Sequence, residues 1–568
     1  MRKIILICFF LFITLKITPQ SKVFDYINPI KTDLIITGSF GEVRDNHFHS
    51  GIDFSIGGKE GMPVYAVADG VVSRIKISAV GYGNALYIDH ADGVTSVYGH
   101  LQKYNSTITQ YARENQYKAK SFEVDLFPAQ KKEYIKVKKG DLIAYAGNSG
   151  GSGGPHLHFE LRETKSEKII NPLRNGFSAP DKYNPFIDFI NIYPDDINTY
   201  INGNTNRLKC TVKKISANEY VLANNKPIEA WGKVYFGIQA FDYNYSAYNR
   251  NGWYKLEMKN DGKIFFSMSC DKFAFDESRY VNASIDYLLN YKQDNRIVIS
   301  KKLPGNKLSF FETDENLGVL DFTDGKSHAV NMQVEDASGK YVTLRFVINS
   351  VKPSDYKEDK EVITESKFAY NKSNIFKNED VIVNIPEGAL YDDIDFVFRK
   401  QDGGKAYYSP VCILHTPETP LHTKVEIKIK TVGLPDTLQS KALLMRMDDK
   451  GRKKPVEAYY MNGYVVGKNN SWGKYAVVVD TTSPVIIPSK YNKKGANRLR
   501  FIVTDDFSGV KKYTGKVNGK WALVEYDAKN DLMTYNVDWL ANEGENNFDL
   551  EVEDYKGNKT FYSTVFYK

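Results

Sequence analysis

Between residue 36 and about residue 163 the chain alternates short apolar runs with glycine-rich breaks. Val64-Tyr65-Ala66-Val67 and Ala85-Leu86-Tyr87-Ile88 are typical runs. Runs of four to eight residues rich in β-branched and aromatic side chains predict strands rather than helices. A polar stretch at 101–137 interrupts them. Within it, Ser106 offers a cap for a short helix ending near Lys118. The stretch reads as an insertion between two strands. Past about residue 200, glycine and histidine thin out while Asn, Lys and Asp rise. Strand-like segments recur at 210–215, 263–269, 341–348, 381–385, 424–429, 474–479, 499–503 and 547–552. Frequent turns between such segments predict stacked β-sandwiches. The polar segments 352–366 and 480–484 read as linkers. No internal repeat and no low-complexity block breaks the pattern.

Composition supports several cores. Of the 568 residues, 42% are hydrophobic and 13% aromatic, which excludes wholesale disorder. At roughly 150 residues per domain, this length implies three to four domains. The net charge is +7 with no long Lys/Arg block, which argues against a dedicated nucleic-acid binder. The first 20 residues read as a signal peptide. Arg2 and Lys3 precede an apolar run at 4–15 that Lys16 closes. That run is too short to span a bilayer, which takes about 20 residues. Export with cleavage near Gln20 is therefore expected, and no later stretch is apolar enough to cross a membrane. Cys210, Cys270 and Cys412 remain after cleavage. Three cysteines in a chain this long do not make a disulfide framework, and free thiols are expected, Cys210 and Cys270 included.

Six of the nine histidines lie between 47 and 158: His47, His49, His90, His100, His156 and His158. Histidine is the commonest metal ligand and an acid–base group near neutral pH. Spacing separates the six. His49 and Asp53 are four apart and reach one ion if the chain turns at Gly51. In Gly154-Pro155-His156-Leu157-His158-Phe159-Glu160, strand residues i and i+2 share a face. His156 and His158 then project together while Leu157 and Phe159 enter a core. His100, in Tyr98-Gly99-His100-Leu101, ends another predicted strand. Three N/O ligands with an open position are the pattern of a catalytic zinc site. The chain offers His49, Asp53 and one of His156 or His158, leaving two histidines to move protons. Glu160 falls on the His158 face and is expected to hold a ligand histidine's other nitrogen. His47 and His90 lack such partners and read as structural. His328, His415 and His422 read as surface residues. Residues 147–151 satisfy G-x-S-x-G, but a nucleophile elbow needs a helix after its serine, and here a Gly/Pro turn leads into a strand. Residues 504–509 read as a solvated turn rather than a calcium loop.

These residues resemble the M23 family of zinc metallopeptidases, the LytM or lysostaphin type. HxxxD at His49 and Asp53, a His before Leu at His100, and HxH at His156 and His158 occur in that order. Val67-Ala68-Asp69-Gly70-Val71-Val72, Val137-Lys138-Lys139-Gly140-Asp141 and Gly147-Asn148-Ser149-Gly150 resemble the signatures between them. The resemblance covers about residues 36–175. It implies one Zn²⁺ held by His49, Asp53 and His158. It implies that His100 and His156 are the catalytic pair that orients water and stabilises the tetrahedral intermediate. His156 and His158, interchangeable on spacing alone, are thereby told apart.

The expected fold class is mainly β: an antiparallel sheet with an open groove, followed by immunoglobulin-like β-sandwiches. The expected division is a signal peptide at 1–20 and a peptidase-type domain at 21–200, with core 36–175 and insertion 101–137. Sandwiches are expected at 201–352 and 367–480, and an immunoglobulin-like domain at 481–568. Residues 380–390 resemble ZU5-type β-domains. The implied activity is hydrolysis of peptide stems or cross-links of bacterial peptidoglycan. The bond favoured is a D-alanyl–diaminopimelyl cross-link over a glycyl bridge. The expected setting is the periplasm or cell envelope, with secretion as the alternative. Other readings are a non-catalytic scaffold that activates another wall hydrolase, or an adhesion protein carrying a peptidase domain. Such scaffolds typically lose ligands, whereas all five positions are present here. The C-terminal modules are expected to meet protein or glycan partners.

Overall fold

The computed structural model describes residues 25–243, 249–354, 356, 367–489 and 497–568. The signal peptide expected at 1–20 and most of the linker expected at 352–366 lie outside them. The fold is mainly β, as the apolar runs predict. The strands that position the site are β1 (Ile36–Gly38), β2 (Ile52–Ser55), β3 (Pro63–Tyr65), β4 (Gly70–Ile77), β5 (Asn84–His90), β6 (Val94–Tyr104), β7 (Lys136–Val137), β8 (Leu142–Ala146) and β9 (His156–Glu163). They pair antiparallel in the order β1-β2-β9-β6-β5-β4-β7, and β8 joins β3 to β6. Strand β9 is thus enclosed between β2 and β6.

Alternation sets the faces. Leu157, Phe159 and Leu161 of β9 are fully buried and pack in one cluster with Ile52 and Phe54 of β2 and Tyr98 of β6. Burying a side chain of this size contributes about 1.5–3 kcal/mol. That stabilisation pins the register, because a slip of one residue would turn the histidines of β9 into the core.

The 101–137 insertion contains one helix, α1 (Ser106–Ala119). Asn105 rather than Ser106 caps it. Asn105 is still extended as the chain leaves β6, and its side chain accepts from the Ile108 N–H at 2.9 Å. Asn and Ser cap equally well, so backbone position decides between them.

The buried core continues past the first sheet without a break. Phe48 packs edge-on against Phe310 at 5.2 Å, and Phe40 meets Phe273 at 5.3 Å. Ile169 and Ile170 pair with Lys272 and Phe273 as neighbouring strands. One cluster of buried side chains runs from Ile30 to Ile348. It includes a 13-stranded sheet built from residues 186–350. Two five-stranded sheets between 374 and 479 share a core around Trp472. Two four-stranded sheets between 485 and 567 share another, with Phe501 stacked on Phe548 at 5.2 Å. Cys210, Cys270 and Cys412 are free thiols. No helix among the described residues is long and apolar enough to cross a membrane.

Candidate metal centre

Pairing register assembles the site. His158 on β9 lies opposite Asp53 on β2 and opposite Gly99 on β6. His49 sits in the turn before β2, fixed by its backbone N–H to the Glu42 carbonyl at 2.9 Å. Gly51 between His49 and Asp53 has no left-handed φ. Its glycine is required by close approach: a Cβ there would stand 2.3 Å from the Phe159 carbonyl oxygen. His100 follows Gly99 with φ of 55°, a left-handed conformation for a non-glycine residue. Such a conformation costs roughly 1–2 kcal/mol. A register shift between β5 and β6 accommodates it and aims His100 off the ladder.

The donor atoms converge. His49 Nε2 lies 3.1 Å from Asp53 Oδ1 and 3.1 Å from His158 Nδ1. His158 Nδ1 lies 2.9 Å from Asp53 Oδ1. Ligand atoms of a tetrahedral zinc ion, each about 2.0–2.1 Å from the metal, lie a little over 3 Å apart. The donor set therefore fits Zn²⁺ in chemistry and in spacing. All three residues are buried, at 2–5% exposure.

The outer hydrogen bonds point both ring lone pairs inward. His49 Nδ1–H donates to the Ser39 carbonyl at 2.8 Å, which leaves Nε2 as an acceptor. His158 Nε2 meets Glu160 Oε1 at 2.9 Å, which leaves Nδ1 free to ligate. Glu160 is fully buried, and its Oε2 takes Arg162 Nε at 2.7 Å. Asp53 Oδ2 accepts from Arg44 Nη2 at 2.8 Å. Metal-binding histidines characteristically donate their second N–H to a carbonyl or carboxylate in this way.

The electrostatics match. Burial opposes ionisation of Asp53, but His49, His156 and His158 hold its carboxyl well below the usual range. Burial likewise opposes a charged Glu160, and Arg162 and His158 overcome it. Burial pushes His49 down and keeps its imidazole neutral. For His158, burial is outweighed by the Asp53 and Glu160 hydrogen bonds, which raise it to about 9. Two carboxylates therefore attract positive charge to this ring, which a proton or a metal ion can supply.

His100 and His156 flank the donor set. Their ring centroids are 4.8 Å apart, and His156 Nε2 stands 3.5 Å from Asp53 Oδ1. His100 Nδ1–H donates to the Ser149 carbonyl, and His156 Nδ1–H to the Gly154 carbonyl, each at 2.8 Å. Both Nε2 atoms are left as acceptors. Burial, with His158 and His156 nearby, pushes His100 down to about 3 and keeps it neutral.

The five residues singled out by spacing thus meet in one place, and Glu160 stands where a partner of a ligand histidine was expected. Arg44, Ser39 and Tyr82 were not foreseen. Ser39 acts through its backbone carbonyl, which no residue type signals. Tyr82 stacks on His158 at 5.1 Å and donates to Glu160 from a loop remote in sequence. His90 is structural, bonded to the Asp69 carbonyl and Ser96, and His47 is exposed. His328, His415 and His422 are half-buried rather than on the surface. Each found a partner distant in sequence: His328 bonds Asp261, His415 stacks on Phe396, and His422 stacks on Tyr280 at 4.3 Å. Ser149 is no nucleophile, since its hydroxyl donates to the Leu101 carbonyl and accepts from the Asn84 N–H. Asp505 and Asp506 come together with Asp480, their oxygens within 4.8 Å.

An antiparallel sheet with a buried His–Asp–His donor set and two flanking histidines defines a metallopeptidase-type domain. The family model for peptidase family M23 matches residues 47–123 and 114–172, and a Zu5-like domain model matches residues 365–480. The chain carries an M23 peptidase domain and, C-terminal to it, a Zu5-like domain. The DD-carboxypeptidase/endopeptidase Mpg of Neisseria meningitidis serogroup B is 33% identical over 133 residues, covering 23% of this chain and 24% of that protein. Lysostaphin of Staphylococcus simulans is 31% identical over 129 residues, covering 22% of this chain and 19% of that protein. The chain therefore spans about a quarter or less of these relatives' length. Among solved structures, a zinc-containing peptidase from Vibrio cholerae is 28% identical, covering 25% of this chain and 37% of that one, with a TM-score of 0.19.

Proposed function

We propose that this chain is an exported zinc-dependent endopeptidase that hydrolyses peptide cross-links or stems of bacterial peptidoglycan. The observation that carries the reading is the convergence of His49 Nε2, Asp53 Oδ1 and His158 Nδ1 within 2.9–3.1 Å of one another, beside His100 and His156. His49, Asp53 and His158 would hold the ion. An ion held there would supply a water acidified to a pKa of about 7 and Lewis acidity toward the scissile carbonyl.

The protein's own groups do the rest. His156 Nε2, left as an acceptor by the Nδ1–H bond to the Gly154 carbonyl and standing 3.5 Å from Asp53 Oδ1, would receive the proton that the water loses as its oxygen bonds to the peptide carbon. His100 Nε2, on the ring 4.8 Å from that of His156, accepts a hydrogen bond from the water and so orients it. The C–N bond then breaks, and the proton passes to the leaving amine. Such proton transfer contributes about 10²–10⁴-fold to rate. The bond we favour joins D-alanine to diaminopimelate, in keeping with the endopeptidase and carboxypeptidase named among the relatives. The site of action we favour is the periplasm or cell envelope.

The test is digestion of purified peptidoglycan by wild type and His49→Ala, with products read by mass spectrometry. New amine and carboxyl ends from zinc-loaded wild type, absent with His49→Ala, are expected. No new ends from wild type overturns the reading.

A further inference from the structure

The loop at 148–152 forms one flank of the site and is unusually glycine-rich. Gly150 and Gly151 lie within it, and Gly147, Gly153 and Gly154 beside it. Glycine gives a backbone the widest conformational freedom, so a fixed carbonyl in such a loop needs outside ties. The carbonyl that matters is that of Ser149, which accepts the His100 Nδ1–H at 2.8 Å. If it swung away, nothing would bias the proton toward Nδ1, and the lone pair on Nε2 would be lost in part of the molecules.

Some ties come from the same sheet. The Ser149 hydroxyl bonds the Leu101 carbonyl at 2.8 Å, and the Gly151 N–H donates to the Gly81 carbonyl at 2.8 Å. Another comes from nearly four hundred residues away. Lys529, on a turn of the last β-sandwich, donates from Nζ to the Asn148 carbonyl and, at 3.2 Å, to the Ser152 carbonyl. These two carbonyls bracket Ser149. An ammonium group has three donors and no acceptor, so it can join two convergent carbonyls, which a neutral side chain of that reach cannot do.

The sandwich that carries Lys529 is itself docked. Tyr117 of α1 packs edge-on against Trp521 at 5.1 Å, lies 5.7 Å from Trp539, and donates its hydroxyl to Asp538. The insertion helix thus serves as a bracket for the last sandwich. Between the two surfaces lies a cavity of about 370 Å³, with Ser149 and Gly150 on one wall and Tyr526 and Asp527 on the other.

We infer that Lys529 is a positioning residue of the hydrolytic site, clamping the 148–152 loop so that the Ser149 carbonyl holds His100 in its Nδ1–H form. What His100 then does rests on the function proposed above, but its tautomer does not. The test uses the full-length chain, ¹⁵N-labelled at histidine, as wild type, Lys529→Ala and Lys529→Arg. Two-bond ¹H–¹⁵N spectra report which His100 nitrogen carries the proton, and His100→Gln assigns the signal. In parallel, kcat is measured on a soluble cross-linked peptide, with zinc content checked for each variant. Wild type shows a protonated Nδ1. Lys529→Ala shows a tautomer mixture and a kcat lower by about tenfold, a fraction of what general acid–base catalysis supplies, at unchanged zinc content. Lys529→Arg, which keeps the charge and several donors, restores both. An unchanged His100 spectrum in Lys529→Ala overturns the inference. Absence of activity in wild type would instead count against the proposed function and leave the spectral test standing.

Discussion

Replacing Glu160 by glutamine removes one oxygen and leaves the shape almost intact, yet it is expected to weaken zinc binding. The carboxylate serves four donors on two oxygens. Oε1 takes His158 Nε2 at 2.9 Å and the Tyr82 hydroxyl at 2.6 Å, while Oε2 takes Arg162 Nε at 2.7 Å and Nη2 at 2.5 Å. Glutamine offers one acceptor and one NH₂ group. The guanidinium is always charged and claims the acceptor. The NH₂ then faces His158 Nε2, and only a ring that is unprotonated at Nε2 can meet it. The proton must move to Nδ1, the atom that points at Asp53 and His49. A ligand atom has to be free of its proton to bind metal. Loss of such an outer partner typically costs 10–100-fold in metal affinity, or about 1.4–2.8 kcal/mol. Competition for zinc against a chromophoric chelator at neutral pH measures this, with circular dichroism checking the fold. Tyr82→Phe is the control, since it removes a donor from Oε1 without disturbing the His158 contact. Wild-type affinity in Glu160→Gln would refute the reasoning.

Asp53→Ala should abolish stoichiometric zinc by metal analysis, and full retention would overturn its assignment as a ligand. Gly51→Ala puts a Cβ 2.3 Å from the Phe159 carbonyl oxygen and 2.9 Å from Glu160 Cγ, so β2 and β9 must part. Overpacking of this kind costs about 1–3 kcal/mol, readable as a lower denaturation midpoint; an unchanged midpoint contradicts it. Asp242 is buried with Oδ1 unpartnered, and burial, with Asp336 and Asp181 nearby, raises it to about 8. Its folded value lies above its unfolded one, so the native state holds an extra proton between about pH 4 and pH 8, and stability falls with rising pH there by up to about 1.4 kcal/mol per unit. Asp242→Asn should flatten that part of the slope in urea titrations, and identical slopes would exclude it.

The site was legible because its signals are local. His49 and Asp53 stand four apart, and His156 and His158 two apart on one strand, so side-chain direction follows from spacing. The strand pattern was legible for the same reason: alternation along β9 separates Leu157 and Phe159 from the histidines. What spacing does not encode is which strands become neighbours. Gly51 was read as a turn residue, but its role is to let the Phe159 carbonyl approach, a contact between strands a hundred residues apart. Tyr82 reaches Glu160 across 78 residues and Lys529 reaches Asn148 across 381, whereas Arg44 meets Asp53 only nine residues on, through a turn that residue types do not reveal. His422 reads as a surface residue until Tyr280 arrives to stack on it. The helix cap moved from Ser106 to Asn105 because two good caps stood side by side.

Phe40 and Phe48, close to the metal ligands in sequence, rest on Phe273 and Phe310. A fragment ending near residue 200 would therefore expose rings whose burial is worth about 1.5–3 kcal/mol each, set against a net stability of roughly 5–15 kcal/mol for a domain. Such a fragment should aggregate in solution. Limited proteolysis should instead release a resistant piece reaching to about residue 350. In gene fusion, exchanging the sandwiches beyond 367 would leave this core closed but remove Lys529 from the 148–152 loop, whereas removing the segment at 186–350 would uncover Phe40 and Phe48.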